Sequence, residues 1–375
     1  NRSAPLRITG NDVIAVNKCM NEKCTHTVHG LGELVQYDFK IVAISSASCG
    51  AMESEPTYLY KKRTIQDLTP YVVNNQTNLT TAAADAFEGQ QITLPSSTQS
   101  EGKSAAMEIV APLMFTEKLI VLVGNSSTGA LKTSIVCKQG RMIDYKGSHP
   151  TEIRGMEITN GRATVQSGGR RRLETENDDA SNSDLIDGGA LYLKEMQTHL
   201  TIEDVIFNGN TAAGKGGAIC VKNANGFHLK MIKVTFVDNK AKYGGAISFQ
   251  GTIQTKLSHV SILTNVASMD GGGIHAVADL ETSGRPNVEI KYSTFVSNSA
   301  TTGDGGAIYL GKADLQMHNT TIKLSTAKKS GGALFLHFAT STFDGTDLLD
   351  NKATTGNGGA LSGRASSVVF STNSL

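Results

Sequence analysis

A double glycine, followed by a small residue and then usually an aliphatic one, recurs seven times in the second half of the chain. Two adjacent glycines weaken a strand or a helix, because glycine loses the most conformational freedom on folding. The first glycines are separated by 28, 28, 27, 34, 26 and 27 residues. A near-constant period in this range is typical of repeat proteins, and here it predicts a sharp structural turn in every repeat. The turn residues are Gly188, Gly189, Gly216, Gly217, Gly244, Gly245, Gly271, Gly272, Gly305, Gly306, Gly331, Gly332, Gly358 and Gly359.

A second pattern alternates with the double glycine: an apolar residue, two variable residues, Asn, and Ala two positions further on. Its asparagines are Asn210, Asn239, Asn265, Asn298 and Asn351. Ser325 takes the Asn position in one copy and Gly161 in another. Because Asn and Gly both tolerate positive φ, this position is predicted to be a second corner. Side-chain amides stacked at such a corner are expected to form a ladder.

After each double glycine, apolar residues alternate with other residues, as Leu191 and Leu193 do on either side of Tyr192. A period of two predicts a strand with one buried face. A repeat of two or three short strands cannot bury its own apolar face, but stacked repeats close a common core. The sequence therefore predicts an all-β parallel solenoid with coils about 4.8 Å apart. A helical repeat is the competing interpretation, and it lacks a 3.6-residue apolar stripe.

The GGA[IL] and FxxN patterns resemble the repeat of the chlamydial polymorphic membrane proteins. IRGMEITNGRA at Ile153–Ala163 and KLIVLVG at Lys118–Gly124 are similar to pectin-lyase-like right-handed β-helices. The resemblance extends over roughly residues 105–375. It implies a right-handed parallel β-helix that is secreted or exposed on a cell surface, often with an adhesive role.

The repeats divide the chain into an irregular N-terminal or capping region, 1–105, and a solenoid, 106–375, with an insertion loop at 164–187. The loop contains GGRRRLETENDDASNSD, which we interpret as a solvated mobile segment. A proteolytic processing site after its three arginines is the alternative. The last residues place Phe370 and Asn373 where the repeat expects them. We therefore expect the polypeptide to continue beyond Leu375, or another chain to stack there.

The formal net charge is +1, with no basic stripe and no aromatic series in the sequence, which argues against nucleic acid as a partner. No apolar run is long enough to span a membrane. Cys19 and Cys24 bracket a short polar stretch that suits a disulfide in a secreted protein. Free thiols remain an alternative, as does a zinc site with His26 and His29. Candidate N-glycosylation sites are Asn75, Asn78, Asn125 and Asn319.

Enzymes with this fold carry clusters of aspartates for metal binding or acid–base work. Asp270 and Asp304 precede the double glycine in neighbouring repeats, but Lys215 and Tyr243 occupy the same position in others. We interpret this column as a solvated corner. We therefore expect no catalytic residues, no metal and no cofactor, and we predict that the protein is not an enzyme.

Two non-enzymatic functions fit the sequence. The first is a structural subunit of an extracellular filament, coat or appendage, associating with itself or with other structural proteins. The second is a cell-surface adhesin or glycan-binding protein, and a polysaccharide-degrading enzyme ranks third. Tyr192, Tyr309 and Phe335 share an outward column, which is a candidate contact face in either non-enzymatic case.

Overall fold

The computed structural model describes strand segments between residues 15 and 63, parts of 71–147, and residues 151–164, 185–278 and 284–371. The chain divides into two compact units, Asn1–Thr69 and Pro70–Leu375. The first unit contains three antiparallel strand pairs, namely Ala15–Met20 with Lys23–Val28, Gln36–Ile41 with Thr57–Arg63, and Ile44–Ala47 with Gly50–Glu53. Its predicted role as a cap stays a prediction.

The second unit is a parallel β-solenoid of about 8 turns, which confirms the predicted fold class. Most of its strands belong to one continuous 25-stranded sheet that winds around the core. A separate 7-stranded sheet runs beside it, and Gln99–Ser100 pairs with Lys103–Ser104 as a small antiparallel ladder. No helix in the described part of the chain is long and apolar enough to cross a membrane.

Three faces of the solenoid are formed by the large sheet. The first face follows the double glycines and contains Leu113–Thr116, Ile143–Lys146, Leu191–Lys194, Ile274–Val277, Ile308–Gly311, Leu334–His337 and Leu361–Arg364. The second face contains Tyr71–Val72, Gln91–Thr93, Ile120–Val123, Asn287–Lys291, Asp314–His318, Thr340–Asp344 and Ser367–Phe370. The third face contains Met107–Ile109, Thr133–Cys137, Thr235–Val237, Ser261–Leu263, Thr294–Val296, Thr321–Lys323 and Asp347–Leu349.

Four longer strands bend from one face to the next. Ile219–Ile232 and Ile247–Ser258 run from the first face to the second, and Thr151–Thr159 and His199–Asn208 run from the second to the third. The separate sheet follows the asparagine corner and contains Arg162–Ala163, Thr211–Ala212, Lys240–Ala241, Val266–Ala267, Ser299–Ala300, Thr326–Ala327 and Lys352–Ala353.

The strand register places equivalent residues of successive repeats directly over one another. Leu191 pairs with Ile219, and Ile219 pairs with Ile247. All three side chains are fully buried. On the third face, the buried rings of Phe207 and Phe236 stack with their centroids 5.0 Å apart. The predicted inward columns therefore form the continuous core of the solenoid.

Parallel pairing begins on the N-terminal side of residue 106, the predicted start of the solenoid. Tyr71–Val72 pairs with Gln91–Thr93, which pairs in turn with Ile120–Val123. These strands have neither the double-glycine pattern nor the asparagine pattern, so the repeat patterns do not predict that they belong to the solenoid. Residues 165–184 of the predicted insertion loop lie outside the described residues.

The two glycines of each pair meet different physical requirements. The first adopts a left-handed conformation, with φ of 64° at Gly244 and 70° at Gly331. The second lies against the neighbouring coil, where a Cβ atom on Gly217 would be 2.1 Å from the carbonyl oxygen of Gly245. Each coil therefore excludes a side chain at the corner where the next coil passes.

Replacing Gly217 with Ala is expected to lower the free energy of unfolding by more than about 3 kcal/mol, because the new methyl group overlaps backbone. Gly226 provides the matched control, since it has φ of 72° and nothing within 4 Å of an added Cβ. Gly226→Ala should cost about 1 kcal/mol from left-handed strain alone. Thermal and denaturant unfolding of both variants tests this, and equal losses would contradict the close-approach explanation.

Candidate functional site

The asparagines of the second corner form a buried ladder of side-chain amides. The Asn210 Nδ2 donates to Asn239 Oδ1 at 2.9 Å, Asn239 to Asn265 at 2.9 Å, and Asn265 to Asn298 at 3.1 Å. The same acceptor oxygens receive backbone N–H groups, as Asn239 Oδ1 does from Asn210 at 3.0 Å. Each Nδ2 also donates to a carbonyl, as Asn239 does to Phe207 at 3.0 Å. The ladder therefore binds coil to coil and is occupied by internal hydrogen bonds.

The left-handed residue at this corner is the one before the asparagine, rather than the asparagine itself. Asn160, Gly209, Asp238, Thr264, Ser297, Leu324 and Asp350 have φ between 51° and 63°. Gly161 occupies the Asn position for a different reason than positive φ. Its N–H donates to Asn210 Oδ1 at 2.8 Å, and a Cβ atom there would lie 2.2 Å from the Gly189 oxygen.

The predicted contact face of Tyr192, Tyr309 and Phe335 is only partly exposed. The Tyr192 side chain is 2% exposed and lies beneath the Arg141 guanidinium, whose carbon is 4.6 Å from the ring centroid. Tyr309 and Phe335 are half-buried, and their rings stack with centroids 5.6 Å apart. Tyr192 is therefore not part of a contact surface, whereas the other two remain accessible.

Residues that precede the double glycines cover the middle of this column. The Tyr243 ring lies 5.2 Å from the ring of His275, and the Lys215 Nζ donates to Gln250 Oε1 at 2.8 Å. Beneath them, Ser248 and His275 are buried, with Ser248 Oγ 3.4 Å from His275 Nδ1. The alternation along the strand places Ser248 and His275 on the outer side of the sheet. They are nevertheless buried, because Lys215 and Tyr243 of the preceding corner cover them.

An aromatic patch remains exposed on the C-terminal part of the first face. We define it by Val277, Tyr309, Phe335, His337 and Phe338. The Phe338 side chain is 47% exposed, and its ring centroid is 4.6 Å from that of His337. Val277, Tyr309, Phe335 and His337 are each half-buried. Exposed apolar groups that lie together on a soluble protein are typical of interaction sites.

Burial determines the protonation of Tyr309 in this patch and of the neighbouring His275. It lowers the pKa of His275 to about 3, with a smaller contribution from the Lys215 ammonium. It raises the pKa of Tyr309 to about 12, assisted by the negative charges of Asp270 and Asp304. Both rings are therefore neutral near pH 7, and neither is poised for proton transfer.

The aspartates before the double glycines act as backbone caps. Asp270 Oδ1 accepts the Asp304 N–H at 2.8 Å, and Asp304 Oδ1 accepts the Ser330 N–H at 2.7 Å. Asp187 accepts the Lys215 N–H at 2.7 Å, and burial raises the pKa of its carboxyl group. Among the residues with described positions, no three His, Cys, Asp or Glu side chains are grouped to hold a metal ion.

The remaining candidate residues are the cysteines and the predicted glycosylation sites. The first hairpin places Cys19 opposite Cys24 in its backbone register, and their disulfide stays a prediction. Cys137 and Cys220 are buried free thiols, and burial raises the pKa of Cys137 to about 12. Asn319 is exposed in a left-handed corner with φ of 46°. The other candidate glycosylation sites, Asn75, Asn78 and Asn125, lie outside the described residues.

Three segments match the Chlamydia polymorphic membrane protein repeat, at residues 204–222, 233–250 and 292–311. Each of these segments contains one asparagine corner and one double-glycine corner. The match and the solenoid together confirm the resemblance predicted from the repeat patterns. Comparison with curated proteins and with solved structures gave no match.

The amide ladder should be weakened by Asn265→Ala and strengthened by Ser325→Asn. The first change removes the amide to which the Asn239 side chain and backbone donate, so it should cost about 3 kcal/mol of stability. The second restores a ladder amide between Asn298 and Asn351, for a gain of about 1 kcal/mol. Denaturant unfolding of each variant checks both signs. A stabilised Asn265→Ala protein would contradict the structural role of the ladder.

His275 should make stability depend on pH. An unfolded histidine takes up a proton near pH 6.5, whereas folded His275 stays neutral to about pH 3. The unfolded state therefore binds more protons, and this contribution to stability declines as pH falls from 6.5. Relative to His275→Phe, the protein should lose about 1–2 kcal/mol between pH 6.5 and 5. Unfolding titrations at both pH values measure this, and parallel pH profiles would contradict it.

Proposed function

We propose that this chain is a non-enzymatic extracellular or cell-surface structural protein, a subunit of a filament, coat or appendage. Association with other copies or with other structural proteins would build the assembly. The observation that carries this proposal is the aromatic patch on the first face, because apolar side chains on a rigid surface favour protein contacts. The partner is expected to cover Phe338 and the accessible edges of Tyr309 and Phe335.

A rigid scaffold supports this proposal. Coil-to-coil contacts combine backbone pairing, the amide ladder and stacked rings such as Phe207 and Phe236. Because each repeat contacts its neighbours along one axis, stability accumulates from one interface to the next. Such a body keeps its surface groups at fixed spacings, as a subunit of a regular assembly requires.

The contacts of His275 and His318 support a non-enzymatic role, whereas the exposed Ser258 Oγ lies 2.9 Å from His259 Nδ1. Ser248 approaches His275 in a buried position that a substrate does not reach. His318 Nδ1 lies 3.5 Å from Asp344 Oδ2, and the same carboxylate accepts the Ser371 hydroxyl, so the serine contacts the acid rather than the imidazole. Neither arrangement fits a nucleophile activated by a histidine base.

The repeat type supports an extracellular or cell-surface location. The matched repeat is named for polymorphic membrane proteins of Chlamydia, and a surface β-helix is consistent with that name. An adhesin or glycan-binding protein is the second candidate function, since the same aromatic patch offers a contact surface for a ligand. The two candidates differ in whether the patch binds copies of this protein.

Phe338→Ser tests the structural proposal, with Tyr292→Ser as the matched control. Both aromatic side chains are about half exposed, at 47% and 56%, and both residues are left-handed, with φ of 51° and 50°. Only Phe338 belongs to the aromatic patch. Losing a buried phenyl contact of about 1.5–3 kcal/mol should weaken association at least about tenfold.

Negative-stain imaging and sedimentation velocity provide the measurement. The native protein and Tyr292→Ser are expected to form regular filaments or sheets, and Phe338→Ser is expected to remain as dispersed single molecules. Dispersed single molecules of the native protein would contradict self-association. Intact assembly of Phe338→Ser together with lost cell binding would instead support the adhesin function.

A further inference from the structure

Four basic side chains come together on the second face, and we call them the basic strip: His199, His228, Lys230 and Lys256. His199 pairs with His228 in the strand register, and Lys230 pairs with Lys256. All four side chains are exposed. Neighbouring coils are about 4.8 Å apart, and alternate residues along one strand are about 6.6–6.8 Å apart. The strip therefore presents two lysine ammonium groups and two imidazole rings on a regular grid.

The lysine pair is only partly neutralised within the solenoid. Like charges directly opposite each other on a sheet are destabilising. The Lys256 Nζ is 3.8 Å from a Glu289 oxygen, but Glu289 is held more closely by Lys291, at 2.5 Å. In the described part of the chain, no carboxylate lies within ion-pair distance of Lys230. The Lys256 side chain is 70% exposed, so an external anion has access to it.

Neutral hydrogen-bond donors and flanking acids define the outline of the strip. Thr201 lies opposite Lys230, and Gln254 lies opposite His228. At the two ends of the lysine row, Glu152 lies opposite Thr201 and Glu289 lies opposite Lys256. A ligand therefore meets lysines and neutral donors in the middle. At the ends it meets ion pairs, Glu152 with Arg154 at 3.1 Å and Glu289 with Lys291 at 2.5 Å.

We propose that the basic strip binds an acidic polysaccharide, a linear chain carrying sulfate or carboxylate groups. Such groups accept charge-assisted hydrogen bonds from lysine, and sugar hydroxyls suit the Thr201 and Gln254 side chains. The flat face admits an extended chain without a cleft. Duplex DNA fits less well, because it carries one charge per roughly 1.7 Å, whereas the strip offers two lysines set among neutral donors.

This site is separate from the association surface of the proposed function. The basic strip lies on the second face, and the aromatic patch lies on the first face and the corner that ends it. Loss of one activity therefore leaves the other measurable. Phe338→Ser should bind an acidic polysaccharide as the native protein does.

The experiment compares binding of the full chain to immobilised dextran sulfate and to neutral dextran, which differ only in sulfate. The native protein should bind dextran sulfate alone, with an affinity that falls as salt is added. Lys230→Gln/Lys256→Gln should bind at least about tenfold more weakly, because two charge-assisted contacts are lost. Lys312→Gln/Lys328→Gln removes the same charge from exposed positions elsewhere and should change affinity less than about twofold.

Unfolding temperatures provide an independent measurement for the same variants. Removing the opposed lysines should leave the unfolding temperature unchanged or raise it, since like-charge repulsion is relieved. Equal weakening by both double variants would overturn the proposal, because binding would then follow net charge. Binding of duplex DNA as tightly as dextran sulfate would overturn it as well, as would absence of binding to dextran sulfate.

Discussion

The close approach of backbone to backbone at the glycine corners is the constraint on which the rest of the solenoid depends. A carbonyl oxygen of one coil occupies the space where a Cβ atom of the previous coil would stand, as Gly245 does beneath Gly217. The corner backbones also pair between coils, with the Gly217 N–H donating to Gly244 at 3.1 Å. Sheet hydrogen bonding therefore continues around the bend instead of ending at it. Because the glycine corners are part of the backbone hydrogen bonding between coils, equivalent residues have the same spacing in every column.

That common spacing has opposite effects on different side chains. Amides gain from it, since each ladder asparagine is both donor and acceptor to an identical neighbour. Aromatic rings also gain, as the stacked rings of His275, Tyr309 and Phe335 show at centroid separations of 5.2 and 5.6 Å. Side chains of like charge are destabilised by it, because they repel each other in every pair of neighbouring coils. A surface column in which lysine follows lysine therefore has a cost in stability, which neutral columns avoid.

Periodicity in the sequence was sufficient to predict the solenoid and its inward columns, because both depend on spacing along the chain. It was not sufficient to predict exposure on the outer side of the first face. Tyr192 alternates outward with its neighbours, yet it is covered by Arg141, a residue from far earlier in the chain. At the asparagine corner, the residue with positive φ is the one before the asparagine, not the asparagine predicted from the sequence. A conserved spacing of asparagines marks the corner but does not indicate which of its residues adopts the left-handed conformation. The basic strip left no sequence signal, since its residues are separated by whole repeats and meet only through register.

The same register explains how one chain presents two chemically different surfaces. Side chains on different faces of a coil diverge from a shared core, and the core is packed by identical positions in every repeat. A substitution on one outer face therefore leaves the backbone of another face in place. The aromatic patch and the basic strip are accordingly free to differ in composition while sharing one rigid scaffold. The proposed structural contact on the first face and the proposed anionic ligand on the second would use different residues, and both sets of residues are held at the spacing that the glycine corners impose.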